Sequence, residues 1–272
     1  MALIQVNYLS KVLFRTVPVQ VILPVDKISF QTMEYEKRKE KFKTLYLLHG
    51  YLGNYTDWVS GTRIQRWAEE KNLAVVMPSG DNAFYVNSTL PGNDYGEFVG
   101  KELVEITRKM FPLSDKREDT FIAGLSMGGF GALRNGIKYA NTFGYAIGLS
   151  SALHLFEENP RTLNGENTIF GDMREARVSD KNPKIALANA IASGKELPKI
   201  YMACGLQDGL LPGNQEFAQY LIENGADVTY VEEPGAHEWD FWDRQIKCVL
   251  DWLPLQEEDN GLNRPSSTGA PT

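Results

Sequence analysis

The sequence predicts an α/β protein with a mostly parallel central sheet flanked by helices. Short apolar runs alternate along the chain with segments of helical periodicity, which is typical of parallel strands joined by crossover helices. Most of these runs are apolar on both faces, as strands must be when helices cover both sides of their sheet. At 272 residues the chain has the length of one such domain with short additions. We therefore expect a single domain over residues 1–255.

Seven apolar runs are the strand candidates. They are VQVILP (19–24), TLYLLHG (44–50), LAVVMP (73–78), DTFIAG (119–124), YAIGLSS (145–151), KIYMACG (199–205) and DVTYVEE (227–233). The N-terminal stretch up to residue 24 is interrupted by polar residues and has no clean apolar core followed by a cleavage site. It therefore indicates an antiparallel pair of strands rather than a secretion signal.

Helical patterns lie between the apolar runs. The clearest begins at Asp94, where Asp94 and Glu97 have the spacing of a capping box and apolar residues then recur at helical spacing until Pro112. Further helices are expected near residues 62–70, 127–139, 214–224 and 238–252.

The longest gap between strands lies between YAIGLSS and KIYMACG. It holds about 50 residues, more than a simple crossover needs, and long segments of this kind are often functional. We expect a small cap over the carboxyl edge of the sheet, at about residues 152–190. The tail, residues 256–272, is polar and rich in Gly, Pro and Ser, which predicts disorder.

Charge and cysteine content narrow the class of protein. A net charge of -7 argues against nucleic acid or an anionic membrane as the main partner, because both are bound through basic patches. No stretch approaches the length of a membrane span. Cys204 and Cys248 lack metal-binding spacing, and we expect them in a buried strand and on the inward face of a helix, as reduced structural thiols. These features are typical of a cytoplasmic protein.

A serine stands between glycines at the end of the fourth apolar run. The segment GLSMG (124–128) has the pattern G-x-S-x-G between a predicted strand and a predicted helix, the context that marks a nucleophilic serine. The glycines leave room for a strained turn, because side chains two residues either side of Ser126 would collide with the neighbouring strand and helix. Ser126 is the candidate nucleophile, and a plain glycine-rich turn is the alternative.

The nucleophile needs a base, and the chain has three histidines. Folds with this turn carry serine, acid and histidine in that order, which excludes His49; we expect His49 to pack its loop. His154 follows Ser126 too closely, with no later strand between them to carry the acid. His237, just beyond the last predicted strand, is therefore the candidate base.

Asp208, in ACGLQDGLLP, is the candidate for the acid that orients His237. Its carboxylate would accept the Nδ1–H of His237 and leave Nε2 free to take the proton of Ser126. Asp240 and Asp243 compete for this role, but they lie on the helix after His237 and are less able to hold its ring from behind.

Acyl transfer also needs two N–H groups that bind the oxyanion. Met127, directly after the nucleophile, supplies one. The other is expected from the loop HGYLG (49–53), with Tyr51 as the candidate and Leu52 in reserve. The aromatic candidates for an aryl-binding pocket are Tyr51, Trp58, Phe84, Tyr85 and Trp239, and packing in the core is the alternative for each. This chemistry requires no metal or organic cofactor.

Six segments carry a family resemblance: LLHGYLGNYTDW, VVMPSGDNAFYVN, DYGEFVGKEL, GLSMGGFGAL, GLQDGLL and GAHEWDFW. They span roughly residues 40–245 and resemble the α/β-hydrolase esterases, a group that includes S-formylglutathione hydrolase (esterase D), antigen 85 mycolyltransferases, tributyrin esterases, and feruloyl and acetylxylan esterases. The resemblance implies the α/β-hydrolase fold and a triad of Ser126, Asp208 and His237. GLSMGGFGAL and the Tyr-Gly-Glu-Phe segment are most similar to the tributyrin-esterase branch, which implies hydrolysis of short-chain acyl esters.

Other functions stay open at this point. A feruloyl or acetylxylan esterase shares the same skeleton, whereas S-formylglutathione hydrolases usually carry a histidine where Phe130 stands. An acyltransferase would use the same triad and exclude water, and a binding protein on a hydrolase scaffold would not react at Ser126. The expected partner is a small-molecule ester, and the sequence leaves open whether the chain forms homo-oligomers.

Overall fold

The computed structural model describes residues 1–29, 32–35, 41–156 and 169–255. Ten strands occur in this part of the chain: β1 (Ala2–Ser10), β2 (Arg15–Leu23), β3 (Ile28–Ser29), β4 (Glu34–Tyr35), β5 (Thr44–Leu48), β6 (Ala74–Pro78), β7 (Thr120–Leu125), β8 (Tyr145–Leu149), β9 (Lys199–Gly205) and β10 (Val228–Glu233). Eight of them form one sheet in the order β1-β2-β6-β5-β7-β8-β9-β10, and β3 pairs with β4 alone.

The central sheet is mostly parallel, as the sequence predicts. β1 pairs antiparallel with β2, and β2 pairs antiparallel with β6. Every other neighbouring pair in this sheet is parallel. Both the α/β class and the antiparallel N-terminal pair are therefore confirmed. Because the parallel strands share one direction, the loops that follow them collect at one edge of the sheet.

Helices cover both faces of the sheet. They are α1 (Asp57–Gly61), α2 (Ile64–Glu70), α3 (Tyr95–Glu97), α4 (Leu103–Met110), α5 (Met127–Lys138), α6 (Met173–Arg177), α7 (Pro183–Ala192), α8 (Leu211–Glu223) and α9 (Trp239–Trp252). One buried cluster contains side chains of α4, α5, α7 and α8. A second contains side chains of α1, α2 and α9. The sheet therefore has one hydrophobic core on each face.

The helix expected from Asp94 to Pro112 is interrupted. A π-helical turn, Phe98–Glu102, separates α3 from α4. The expected capping box is wrong, because the Asp94 side chain makes no capping hydrogen bond. Instead, Asn87 accepts the N–H of Glu97 at 2.9 Å. An isolated antiparallel bridge joins Asn87 to Asp94, and this bridge brings the Asn87 side chain to the helix end.

The two cysteines differ in exposure. Cys204 is buried in β9, as predicted, but Cys248 is exposed, so the inward position predicted for it is wrong. The buried stripe of α9 runs through Phe241, Gln245 and Val249. Cys248 falls outside that stripe because helical periodicity turns it toward solvent.

The segment predicted as a cap, residues 152–190, is described only in part, because residues 157–168 lie outside the described residues. Its described portions include α6 and most of α7, and the cap stays a prediction. The tail prediction falls on residues 256–272, which also lie outside the described residues. In the part of the chain that the structure describes, no helix combines the length and the apolar character needed to cross a membrane.

Candidate active site

Ser126 occupies a sharp turn between β7 and α5. Its backbone has φ 54° and ψ −117°, a conformation that is strained for a residue with a side chain. The flanking glycines permit the turn: a Cβ on Gly124 would lie 2.3 Å from the backbone of Gly128, and a Cβ on Gly128 would lie 2.4 Å from the Leu48 carbonyl oxygen. The turn is therefore possible only with glycine at both positions, and it presents Ser126 at the carboxyl edge of the sheet.

Three side chains from different loops form a chain of hydrogen bonds at this edge. His237 Nε2 lies 3.1 Å from Ser126 Oγ. His237 Nδ1 lies 2.8 Å from Asp208 Oδ2. Ser126 follows β7, Asp208 follows β9 and His237 follows β10, so parallel strands bring together residues that are far apart in the sequence.

Asp208 is held on its far side as well. Its Oδ1 accepts the N–H of Leu210 at 2.9 Å, and its side chain is 1% exposed. Burial raises the pKa of Asp208, but hydrogen bonds from His237, the Leu210 N–H and Ser150 outweigh burial, and the pKa is lowered overall. Asp208 is therefore an ionised acceptor at neutral pH.

The ionised carboxylate determines the tautomer of His237. Because Asp208 only accepts, the proton of neutral His237 lies on Nδ1 and Nε2 presents a lone pair toward Ser126. The ring of Trp242 packs edge-on against His237, with ring centroids 4.9 Å apart. The competing acid Asp243 pairs instead with Arg63 at 2.6 Å. The arrangement can thus remove a proton from the Ser126 hydroxyl.

The backbone N–H groups predicted for an oxyanion hole differ in whether they already donate a hydrogen bond within the protein. Within the described residues, neither the Tyr51 N–H nor the Met127 N–H donates to a protein acceptor. The Leu52 N–H, the reserve candidate, donates to Asn82 Oδ1 at 2.8 Å. The geometry therefore favours Tyr51 over Leu52, since an N–H already engaged is not available to a substrate.

His49 fixes the start of this loop. The N–H of Gly80 donates to His49 Nε2 at 2.8 Å, and His49 Nδ1 lies 2.7 Å from the Gly50 carbonyl oxygen. Nε2 must therefore carry the lone pair and Nδ1 the proton. Burial lowers the pKa of His49, which keeps the ring neutral and the two contacts intact.

A cavity of about 300 Å³ opens beside Ser126. Its lining residues are Tyr51, Phe84, Ser126, Met127, Ala152, His154, Asp208, Gly209, Leu210 and His237. Of the aromatic pocket candidates, Tyr51 and Phe84 line it. Trp58, Tyr85 and Trp239 do not belong to this lining.

Those three aromatic residues support the site from behind. Trp58 donates to the Leu48 carbonyl at 2.9 Å, and Tyr85 donates to the His49 carbonyl at 3.0 Å. Trp239 packs edge-on against both Trp58 and Trp242. Trp58 and Tyr85 thus hold the end of β5, from which the Tyr51 loop departs.

Several lining residues were not among the sequence predictions. Ala152 and His154 follow β8, and Leu210 follows β9. His154 lies too close to Ser126 in the sequence to be the base, but its position just after β8 brings it to the cavity wall. Their positions just after predicted strands could have identified these lining residues, because residues that follow parallel strands converge at the same edge of the sheet. Among the residues with described positions, no three His, Cys, Asp or Glu side chains are grouped as metal ligands.

Comparison with known proteins gives consistent matches. The model of a family described as "putative esterase" matches residues 10–252. An acetyl esterase from Caldicellulosiruptor saccharolyticus is 43% identical over 262 residues, which cover 93% of this chain and 98% of that protein. Two Staphylococcus aureus structures are each 30% identical and cover 93% of this chain and 98% of their own: the fluorophosphonate-binding serine hydrolase FphF (TM-score 0.82) and the S-formylglutathione hydrolase FrmB (TM-score 0.80).

Proposed function

Because the chain belongs to this esterase family and is a carboxylic ester hydrolase, we propose that it cleaves short-chain acyl esters with Ser126 as the nucleophile. His237 acts as general base and acid, and Asp208 orients it. One observation carries the proposal: a continuous hydrogen-bonded chain from Ser126 through His237 to a buried Asp208, at 3.1 Å and 2.8 Å. A serine hydroxyl is activated when it is hydrogen-bonded to a base and that base is held in turn by an acid.

The first half-reaction acylates the enzyme. Ser126 Oγ attacks the ester carbonyl carbon while its proton passes to His237 Nε2. The carbonyl oxygen becomes an oxyanion, which accepts hydrogen bonds from the N–H groups of Met127 and Tyr51. The bond to the alcohol oxygen then breaks, and the alcohol leaves with the proton from His237.

The second half-reaction repeats these steps with water. Water loses a proton to His237 and attacks the acyl carbon, the same N–H groups bind the new oxyanion, and the acid leaves as Ser126 regains its proton. Asp208 stays ionised throughout and stabilises the imidazolium that forms twice in each cycle.

The cavity supports a short acyl group. At about 300 Å³ it lies at the small end of the range for ligand pockets. Apolar side chains dominate its walls, among them Phe84, Met127 and Leu210. Such walls favour an alkyl acyl group of limited length, in agreement with the acetyl esterase that is 43% identical to this chain.

A thioester substrate is the second candidate, supported by the 30% identity to FrmB. A formyl group is smaller than acetyl and would also fit the cavity. Phe130, at the position where S-formylglutathione hydrolases usually carry histidine, is buried and packs edge-on against Phe84. The absence of that histidine, rather than a contact with substrate, is what favours an oxygen ester over a thioester of glutathione.

Initial rates on p-nitrophenyl esters from acetate to octanoate, with methyl ferulate and S-formylglutathione alongside, test the proposal. We expect kcat/KM to be highest among acetate, propionate and butyrate, and to fall by an order of magnitude or more at octanoate. A preference for octanoate would contradict the short-chain assignment. A higher kcat/KM for methyl ferulate or S-formylglutathione would replace the proposed substrate class with that of the better substrate.

A further inference from the structure

We propose that Asn82 is a positioning residue for the oxyanion hole, because its side-chain oxygen fixes the peptide that follows Tyr51. This inference rests on the proposed function, in which the Tyr51 N–H binds the oxyanion. Asn82 acts through the backbone and does not touch the reacting atoms.

The contact joins two loops at the carboxyl edge of the sheet. Asn82, on the loop after β6, accepts the Leu52 N–H at 2.8 Å across 30 positions of sequence. The Leu52 side chain is 81% exposed, so packing does not hold this residue in place. Its φ of 67° lies in the left-handed region, which is unfavourable for a residue with a side chain. A side-chain hydrogen bond therefore holds a peptide that would otherwise relax.

The peptide before Tyr51 is fixed in a different way. The Gly50 carbonyl accepts hydrogen bonds from His49 Nδ1 at 2.7 Å and from the Gly53 N–H at 3.2 Å. In a trans peptide the carbonyl and the N–H point in opposite directions. Fixing the Gly50 carbonyl on one side thus turns the Tyr51 N–H to the other side.

Tyr51 therefore lies between two fixed peptide planes. His49 and Gly53 fix the plane before it, and Asn82 fixes the plane after it. The same contact engages the Leu52 N–H, which leaves the Tyr51 N–H as the donor from this loop. A preorganised donor is effective because it does not have to reorient when the oxyanion forms.

Removing the Asn82 oxygen should misalign the Tyr51 N–H without deleting it. Losing an oxyanion donor outright lowers kcat about 10²- to 10³-fold, and a misplacement of about 1 Å can cost 10²-fold. We expect a decrease in kcat of about ten- to a hundredfold for Asn82→Leu, with KM changed less than threefold.

Asn54→Leu is the matched control. Asn54 lies on the same loop, and its oxygen accepts the N–H and the hydroxyl of Thr56, both at 2.8 Å. It fixes neither peptide next to Tyr51, so kcat should stay within threefold of wild type. Asn82→Ala provides a second loss of the oxygen if the leucine variant does not fold, as judged by the thermal unfolding midpoint.

Steady-state hydrolysis of p-nitrophenyl acetate and inhibition by an alkyl trifluoromethyl ketone give the readout. Ser126 Oγ adds to the ketone carbon, its proton passes to His237, and the ketone oxygen becomes the anion bound by the hole. We expect Ki for the ketone to rise by the same factor as kcat/KM falls, because both report binding of the oxyanion. A loss of stability alone would not produce this parallel change.

Three results would overturn the role of Asn82: wild-type kcat in both Asn82 variants, a rise in KM with kcat unchanged, or an equal loss of kcat in Asn54→Leu. Ser126→Ala is measured in the same series. If Ser126→Ala keeps wild-type activity, the proposed function itself fails, whereas loss of activity in that variant together with wild-type kcat in the Asn82 variants rejects the positioning role alone.

Discussion

Asp208→Asn is expected to lower kcat/KM about 10³- to 10⁵-fold, because the substitution reverses the tautomer of His237. One side of Asp208 accepts the Leu210 N–H at 2.9 Å and the other lies 2.8 Å from His237 Nδ1. An asparagine must keep its oxygen toward Leu210, so its NH₂ faces Nδ1. His237 Nδ1 then accepts, Nε2 carries the proton, and Ser126 has no base.

The magnitude follows from two contributions. Rotating the asparagine to restore the tautomer would leave the buried Leu210 N–H facing a donor, which costs about 1–3 kcal/mol. Losing the carboxylate removes about 4 kcal/mol of attraction to the imidazolium at an effective dielectric constant of about 20. Together they amount to about 5–7 kcal/mol. Because His237 is 38% exposed and its attraction to the carboxylate is partly screened, the barrier rises by about 4–7 kcal/mol, which corresponds to the 10³- to 10⁵-fold decrease.

The assay compares kcat/KM for p-nitrophenyl acetate in wild type, Asp208→Asn and Asp208→Ala at equal active protein. Alanine removes the carboxylate without imposing a donor, so Asp208→Ala should retain more activity than Asp208→Asn. If Asp208→Asn keeps kcat/KM within tenfold of wild type, Asp208 does not orient the base. Such a result would refute the tautomer argument while leaving the fold unaffected.

Three further predictions concern stability and reactivity. Asp180→Asn should lower the free energy of unfolding in urea by about 1–2 kcal/mol, because Arg134, 2.6 Å from Asp180, is fully buried and loses its counter-charge, whereas Asp180 is 39% exposed and the pair is partly screened. Burial raises the pKa of Asp180, but Arg134 and Lys138 lower it below its ordinary 3.8. The difference from wild type is therefore full above that pH and shrinks as pH falls through the folded-state pKa, and a difference that grows in acid would contradict it. Gly128→Ala should prevent soluble folding, because the new Cβ would lie 2.4 Å from the Leu48 carbonyl oxygen. A Cβ at Gly209 would have no heavy atom within 4 Å, so the thermal unfolding midpoint of Gly209→Ala should stay within a few degrees of wild type. A disulfide reagent should modify one thiol, Cys248, in the native protein and Cys204 only after unfolding, since burial raises the pKa of Cys204 to about 12; two fast thiols in the native state would be inconsistent with the fold.

The elements that sequence predicted well are those whose signal is local. Apolar runs bounded by turns located all of the parallel strands, and the predicted helix 127–139 matches Met127–Lys138. The helix Pro183–Ala192 was not identified because its residues are apolar or small on most sides and show little periodicity. Its start did carry a signal, Asn182 followed by Pro183, and Asn182 caps the Lys184 N–H at 3.0 Å.

In the candidate site, too, local sequence signals supported predictions, whereas contacts between distant loops could not be predicted. The motif around Ser126 and the positions of Asp208 and His237 just after predicted strands were enough to put these three residues forward as candidates, because strand topology constrains where each can lie. The contact from Asn82 to Leu52 and the packing of Trp242 on His237 could not be predicted, since both depend on how distant loops meet. Trp58 and Tyr85 were predicted at the pocket, but whether an aromatic side chain faces a cavity or a carbonyl behind it depends on tertiary packing.

Trapping the acyl-enzyme tests the central claim most directly. The protein is mixed with p-nitrophenyl acetate, quenched in acid within the first turnovers, digested and analysed by mass spectrometry, with Ser126→Ala alongside. We predict one acetyl group on Ser126 in wild type, none in the variant, and a kcat for the variant lower by several orders of magnitude. An acetyl group on a different residue, or a tenth of the wild-type activity in Ser126→Ala, would contradict the account.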